Sequence, residues 1–458
     1  MKLDDVLSIL DDVPNYQAFL TVDELKASAH GLAQDHPRAV EVLPLGRSRQ
    51  GDPIAALKIG DGPKTAMLFA MPHPNEPIGS MMLEYLSRRL AEDDALRDAL
   101  GYTWYLIKCI DPDGTRLNEG WFKGPFSIGN YARHYYRPPA YQQIEWTFPI
   151  DYKTLHFHDP LPETQALMAL IEQTRPDFIY SLHNSGFGGA YFYISEEAPS
   201  LYQPFHSLVE SQDLPLHLGE PEMPWAVTYA EAVFKVPFIS EGYDFLEAQT
   251  GADPAETITG GTASFDYARA FCDPFGLVCE MPYFYNPRIH DLSPSDMIRR
   301  DAILQRVAQT REDLSFLQAQ YDAVRDELTV PSPFRDSIEN TLKTYEQRLL
   351  AQENWAQTDP KTAERATVAA KFDSLVIRKF HSLLGLGMLA RMLDAQIAAT
   401  GASAALSAAR EATRAAFDRR SAALEGELDY TVIPIQKLAR VQLGSALLAA
   451  DYAAGRKV

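Results

Sequence analysis

A histidine and a carboxylate three residues apart can both face one metal ion. His73 and Glu76 have this spacing, in the segment HPNE, and zinc accepts imidazole nitrogen and carboxylate oxygen as ligands. The pair alone says little, because a chain with 11 histidines and this many glutamates contains about 0.7 such pairs by chance. Whether the pair binds a metal must be judged from the predicted strands and helices around it.

Three apolar runs end at side chains that could do chemistry. TAMLFAM stops just before His73, and Pro77 follows where the first turn of a helix tolerates proline. DFIYSL ends before His183, and FGLVC ends before Glu280. In open α/β sheets ligands bind outside the carboxyl ends of the strands, so we expect these side chains to meet in one crevice.

The chain divides into two compositionally different parts. From Ala39 to about Phe284, apolar runs alternate with amphipathic helical segments, which is typical of an α/β domain with a mixed or parallel sheet. From about Ser293, long stretches rich in Ala, Leu, Arg, Gln and Glu favour helix. We therefore predict an α/β domain at 1–292 and an all-α domain at 293–458. The predicted helical segments of the second part are about 295–327, 332–354, 360–399 and 402–424. We expect this part to be a scaffold, either a bundle or an arm through which the chain forms homo-oligomers.

Charge and cysteine usage exclude several classes of partner. The 62 acidic and 42 basic residues give a formal charge of −20, which repels nucleic-acid phosphates and anionic lipid headgroups. No run reaches the roughly 18 apolar residues of a membrane-spanning helix. The three cysteines have no CxxC spacing, and the first residues do not resemble an export signal. We therefore expect a cytoplasmic protein that binds neither nucleic acid nor membranes.

A series of segments resembles the M14 metallocarboxypeptidase family. In order they are GRSRQGDPI, HPNE, DPDG at 111–114, PLPETQAL at 160–167, SLHN at 181–184, GGTASFDYA at 260–268, and Glu280 at the end of its strand. No single segment is specific, but their common order over approximately residues 15–290 is. The resemblance leaves the helical part unexplained.

This resemblance implies a zinc hydrolase with a mixed-sheet catalytic domain. His73, Glu76 and His183 would be the ligands of one zinc ion per chain, with a fourth position open for water. Glu280 would be the carboxylate that takes the proton of this water and passes it to the leaving amine. The implied substrate is a peptide or an isopeptide, and the implied activity is that of an exopeptidase.

The sequence departs from the family where the terminal carboxylate of the substrate is bound. Glu145 and Trp146 stand where the family has an Asn-Arg pair. Arg116, Arg133 and Arg137 lie in the same region, and a guanidinium group can pair with a carboxylate through two hydrogen bonds. We predict that Arg116, which follows the DPDG turn, and Arg137 bind the substrate.

A further departure concerns the charge of the substrate. Glu256 precedes Gly260 by four residues, at the place where the family often presents a tyrosine to the substrate. With Glu145 and the acidic surface, this carboxylate favours a substrate that carries a positive charge. An arginine or lysine side chain would fit, as would the isopeptide-linked arginine of the Asp-Arg polymer cyanophycin.

Two other functions remain open. Deacylases of N-acyl amino acids, such as aspartoacylase and succinylglutamate desuccinylase, share the HxxE pair and a distant histidine. The ordered segments favour a peptidase over them. A catalytically inactive binding protein with the same fold is the other alternative, and the joint presence of the three ligands and Glu280 argues against it.

Overall fold

A mixed sheet of nine strands forms the centre of the structure, which the computed structural model describes over residues 2–456. The strands of the chain are β1 (Val40–Arg47), β2 (Pro53–Ile59), β3 (Lys64–Ala70), β4 (Tyr102–Ile107), β5 (Ile150–Tyr152), β6 (Leu155–Phe157), β7 (Phe178–His183), β8 (Tyr191–Ile194), β9 (Thr228–Ala230), β10 (Val233–Lys235), β11 (Phe275–Glu280), β12 (Phe284–Tyr285), β13 (Pro294–Ile298), β14 (Arg365–Thr367) and β15 (Thr431–Val432). The order in the large sheet is β1-β2-β4-β3-β7-β11-β8-β10-β9. The inner strands β4, β3, β7 and β11 are parallel, whereas β1, β2 and β4 pair antiparallel, as do β11 and β8. The predicted mixed α/β fold is confirmed.

Helices cover the sheet and fill the second half of the chain. They are α1 (Leu3–Asp11), α2 (Val22–Asp35), α3 (Ile78–Glu92), α4 (Asp94–Leu100), α5 (Pro112–Arg116), α6 (Ile128–His134), α7 (Pro162–Thr174), α8 (Pro199–Ser211), α9 (Ile239–Thr250), α10 (Ser264–Ala268), α11 (Arg299–Asp322), α12 (Pro333–Thr358), α13 (Val368–Phe372), α14 (Arg378–Thr400), α15 (Ala404–Glu427) and α16 (Ile435–Gly455). The helical C-terminal region is thus confirmed. None of the helices in residues 2–456 has the length and apolar character needed to cross a membrane.

The two central strands are covered on both faces. Every residue of β7 and of β11 is buried, as expected for inner parallel strands. Successive side chains of β11 point to opposite faces. On one face Phe275 packs against Tyr452 of α16, with ring centroids 4.9 Å apart. On the other, Phe265 of α10 lies so close to Gly276 that an added Cβ would be 2.6 Å from its ring. This position therefore requires glycine.

The last helix belongs to the sheet and not to the other C-terminal helices. It packs against α1, α3 and α8 and under β7 and β11. The Gln442 side-chain amide, fully buried, donates hydrogen bonds to the backbone carbonyls of His183 at 2.7 Å and Cys279 at 3.3 Å. The division at residue 292 stays a prediction about folding units, but packing assigns residues 435–455 to the first unit. The four predicted helical segments did not include this helix.

The remaining C-terminal helices form a layer over one edge of the sheet. α11 packs on α12, α12 packs on α14, and α14 packs on α15. This layer is attached to the N-terminal part through α12 against α9 and through α14 and α15 against α6. The helices of this layer lie at the carboxyl ends of the inner strands.

We expect Gln442→Leu to lower the free energy of unfolding by about 1–3 kcal/mol, because the buried carbonyls of His183 and Cys279 would each lose the hydrogen bond that this amide donates. Urea denaturation of the full chain measures this. Gln357→Leu, at an exposed position of α12, is the control and should change stability little. Equal stability of Gln442→Leu and the unmodified chain would show that the amide does not hold α16 under the sheet.

Candidate metal centre

Two neighbouring parallel strands bring the predicted ligands together. His73 follows the end of β3, Glu76 immediately precedes the turn into α3, and His183 is the last residue of β7. Because β3 and β7 are paired in parallel, their carboxyl ends lie side by side. His73 Nδ1 is 3.2 Å from Glu76 Oε2, and His183 Nδ1 is 3.0 Å from both of these atoms. All three side chains are buried.

The arrangement fits a zinc ion. Ligand atoms bound about 2.1 Å from a tetrahedral zinc lie about 3.4 Å from one another, close to the edges of this triangle. Burial lowers the pKa of His73 to about 3, so its ring is neutral and offers a lone pair. Burial alone would raise the pKa of Glu76, but the Arg137 guanidinium and the hydrogen bonds to the His183 and His73 rings outweigh it and hold this pKa below its usual value. Two imidazole nitrogens and a carboxylate oxygen form a donor set that suits zinc.

A buried chain of hydrogen bonds holds the side of the His183 ring that faces away from the three ligand atoms. His183 Nε2 lies 2.8 Å from Ser181 Oγ, and Ser181 Oγ donates to Glu145 Oε2 at 2.8 Å. Ser264 donates to the other oxygen of Glu145 at 3.2 Å. Burial raises the pKa of Glu145. Such support of a histidine ligand fixes the orientation of its ring and leaves Nδ1 to face the metal.

Glu280 ends β11 beside the ligands. It is the parallel register partner of His183, and its Oε1 is 3.9 Å from His183 Nδ1. Burial raises the pKa of Glu280 well above its usual value, and the nearby carboxylates of Glu76 and Glu222 add to the shift. A carboxyl group tuned in this direction is suited to accept a proton and to return it.

The ligands and Glu280 open into a cavity of about 700 Å³. Its far wall consists of side chains from the C-terminal helices, among them Thr310, Leu317, Tyr345, Trp355, Phe380 and Met388. The helical region therefore forms part of the cavity at the candidate metal centre. Its role as a scaffold or oligomerisation arm stays a prediction.

The family model for zinc carboxypeptidases matches residues 25–268, more than half of the chain. The chain belongs to the zinc carboxypeptidase family. Zinc carboxypeptidase A 1 of Anopheles gambiae is 31% identical in an alignment of 129 residues, which covers 25% of this chain and only 30% of the length of that protein.

Two solved structures illustrate the likeness of this family member to known ones. The carboxypeptidase A from Helicoverpa armigera is 16% identical with a TM-score of 0.39, over 78% of this chain and 80% of the other. The metallo-carboxypeptidase from Burkholderia cenocepacia is 16% identical with a TM-score of 0.33, over 57% and 60%.

Of the arginines predicted to bind substrate, only Arg137 lines the cavity. Its Nη1 donates to Glu76 Oε1 at 2.8 Å. Arg116 lies outside the cavity and pairs with Asp23 at 2.7 Å and Asp52 at 2.9 Å. Arg133 pairs with a surface aspartate of α15. The DPDG turn therefore directs Arg116 to the surface, where other carboxylates already neutralise it.

Neither glutamate predicted to bind a cationic substrate is free to do so at the metal. Glu256 is exposed and does not line the cavity. Glu145 does line it, but its side chain is buried and is hydrogen-bonded to Ser181 and Ser264, where it supports His183. The structure instead places Glu222 in the cavity, in an irregular loop between α8 and β9. The segment GEPEMP has no periodicity or motif that could have indicated this.

We expect Ser181→Ala to weaken zinc binding about 10-fold to 100-fold, because His183 would lose the group that orients its ring. Competition with a chromophoric chelator measures the zinc affinity directly, without any need for activity. Ser80→Ala is the matched control, since Ser80 is equally buried and donates to the Lys108 carbonyl at 2.6 Å, away from the ligands. An equal loss of zinc affinity in both variants would mean that the effect comes from general destabilisation.

Proposed function

We propose that this protein hydrolyses peptide or isopeptide amide bonds with zinc as its cofactor, as an exopeptidase with a preference for basic residues. The observation that carries the proposal is the convergence of His73 Nδ1, Glu76 Oε2 and His183 Nδ1 within 3.2 Å of one another, beside the Glu280 carboxyl. Membership of the zinc carboxypeptidase family supports it.

The residues of the site have separate tasks in this reaction. When bound, zinc would polarise the scissile carbonyl and lower the pKa of a water molecule. Glu280 accepts a proton from the attacking water and transfers it to the amine nitrogen as the C–N bond breaks. The water oxygen goes to the carbonyl carbon, so the products are a carboxylate and a free amine. Ser181 and Glu145 keep His183 in place throughout.

The covered cavity supports cleavage near a chain end. The C-terminal helices close the side opposite the sheet, and an extended chain running through the site would meet them. A terminal residue or a small amide can enter a cavity of about 700 Å³ without such a clash. We therefore assign the protein to exopeptidases and not to endopeptidases.

Two arginines of the cavity are suited to bind substrate oxygens, including those of the terminal carboxylate, in place of the missing Asn-Arg pair. Arg137 binds Glu76 through Nη1, and its side chain is still 29% exposed. Arg306 of α11 has Gln352 Oε1 at 3.5 Å, and in residues 2–456 no carboxylate oxygen lies within 4.0 Å of it. Arg137 is closer to the ligands, so we assign it to the oxygens near the scissile bond and Arg306 to a more distant carboxylate.

A deacylase of N-acyl amino acids is the second candidate function. The size of the cavity and its helical cover suit a small acylated amino acid as well as a terminal residue. N-acyl amino acids assayed beside peptides separate the two functions. A cytoplasmic location also stays a proposal, supported by the three cysteines, all of them unpaired.

Metal content and turnover of two variants test the assignment. We expect one zinc per purified chain, loss of zinc in His183→Ala, and retained zinc without turnover in Glu280→Gln. Zinc is measured by elemental analysis, and hydrolysis of a mixed library of peptides, isopeptides and N-acyl amino acids by mass spectrometry.

His158→Ala is the control for the metal. His158 forms an exposed group with Asp151 and His156, the other set in the described residues whose geometry could hold an ion. Zinc lost in His158→Ala but kept in His183→Ala would move the metal to that surface. Turnover by Glu280→Gln at the unmodified rate would remove Glu280 from the reaction. No turnover of any library member would favour the inactive binding protein.

A further inference from the structure

One accessible carboxylate in the cavity has no task in the hydrolysis itself. Glu222 is exposed and lines the same cavity as the metal ligands. The hydroxyl of Tyr191 donates to its Oε1 and the hydroxyl of Tyr193 to its Oε2, both at 2.8 Å. Two buried tyrosines thus fix the position of a carboxylate that solvent or a ligand can still reach.

Strand register places this carboxylate beside the reacting groups. Tyr191 and Tyr193 belong to β8, which pairs antiparallel with β11. Tyr191 is the register partner of Glu280, and Tyr193 is the partner of Val278, which also lines the cavity. Glu222 therefore lies over the strand next to the one that carries Glu280, close enough for its charge to act on that carboxyl group.

In residues 2–456 no basic side chain forms a direct ion pair with this carboxylate. In the described part of the chain, no lysine, arginine or histidine nitrogen lies within 4.0 Å of Glu222. His217, His381 and Arg306 line the same cavity at greater distances. The tyrosine hydroxyls donate one hydrogen bond to each oxygen, so each keeps acceptor capacity for a further donor. A guanidinium or ammonium group is the partner that a charged, fixed and accessible carboxylate binds most strongly.

We propose that Glu222 binds the cationic group of the substrate, a guanidinium or an ammonium, and so selects substrates with an arginine or lysine side chain near the scissile bond. This inference rests on the proposed function. It moves the site of cation recognition from Glu256 and Glu145 to a loop residue held by Tyr191 and Tyr193.

The first test compares substrates that differ only in charge. Peptides ending in arginine and in citrulline have nearly the same shape, but only arginine is cationic. We expect the ratio of kcat/KM for arginine over citrulline to fall about 10-fold to 100-fold in Glu222→Gln. Tyr191→Phe and Tyr193→Phe should each give a smaller fall. Glu256→Gln, an exposed glutamate outside the cavity, is the matched control and should leave the ratio unchanged.

A binding measurement keeps this inference separate from the proposed function. Calorimetry of the zinc-loaded protein with free L-arginine and with L-citrulline requires no turnover. Arginine should bind more tightly to the unmodified chain, and Glu222→Gln should abolish the difference. If the unmodified chain hydrolyses the library but Glu222→Gln keeps the arginine ratio and the arginine binding, the inference is wrong and the proposed function stands. If nothing is hydrolysed, the proposed function fails, and the arginine titration alone decides the role of Glu222.

Discussion

The parallel pairing of β3, β7 and β11 is the constraint on which the site depends. Parallel neighbours end at the same edge of a sheet, so residues that are far apart in sequence meet there without long loops. His73, His183 and Glu280 follow or end these three strands, and the register makes His183 and Glu280 direct neighbours. A shift of one residue in either pairing would turn these side chains to the other face. Below these strands, Gln442 of α16 donates hydrogen bonds to the carbonyls of His183 and Cys279 and so links β7 to β11 at this register.

This edge gathers more negative charge than the protein neutralises by itself. Glu76, Glu145 and Glu280 are all buried within 4.0 Å of a ring nitrogen of His183, whereas Arg137 pairs only with Glu76. Buried carboxylates without cationic partners are unfavourable unless hydrogen bonds or a metal compensate them. Serine hydroxyls compensate Glu145, and a bound zinc ion would compensate Glu76. Burial raises the pKa of Glu280, and the nearby carboxylates of Glu76 and Glu222 raise it further.

Sequence reasoning was reliable where one short segment contained both a residue and the element that positions it. The apolar runs before His73, His183 and Glu280 are strands, and the order of the segments identified the family. It was unreliable where a position depends on packing between distant segments. Arg116 follows the DPDG turn as expected, yet Asp23 and Asp52, 93 and 64 residues away in sequence, hold it at the surface.

Two further features could not be read from local patterns. The helix at 435–455 has the same alanine-rich composition as helices that pack elsewhere, and only its contacts with β7 and β11 show that it supports the sheet. Glu222 lies in a loop without periodicity. Its carboxylate is held by hydrogen bonds from Tyr191 and Tyr193, on a strand about 30 residues earlier. Neither the contacts of this helix with the sheet nor the hydrogen bonds of Glu222 can be predicted from the spacing of residues along the chain.

In this molecule the residues proposed for catalysis and those proposed for substrate selectivity lie on different kinds of element. The reacting groups lie at the ends of rigid strands, where backbone hydrogen bonds on both sides limit their movement. The groups that would choose the substrate, Glu222 and Arg306, lie on a loop and on a C-terminal helix that face the metal from outside the sheet. Loops and added helices can change without disturbing the register of the inner strands. The helical region forms a wall of the cavity, built onto a sheet edge whose geometry the strand pairing fixes.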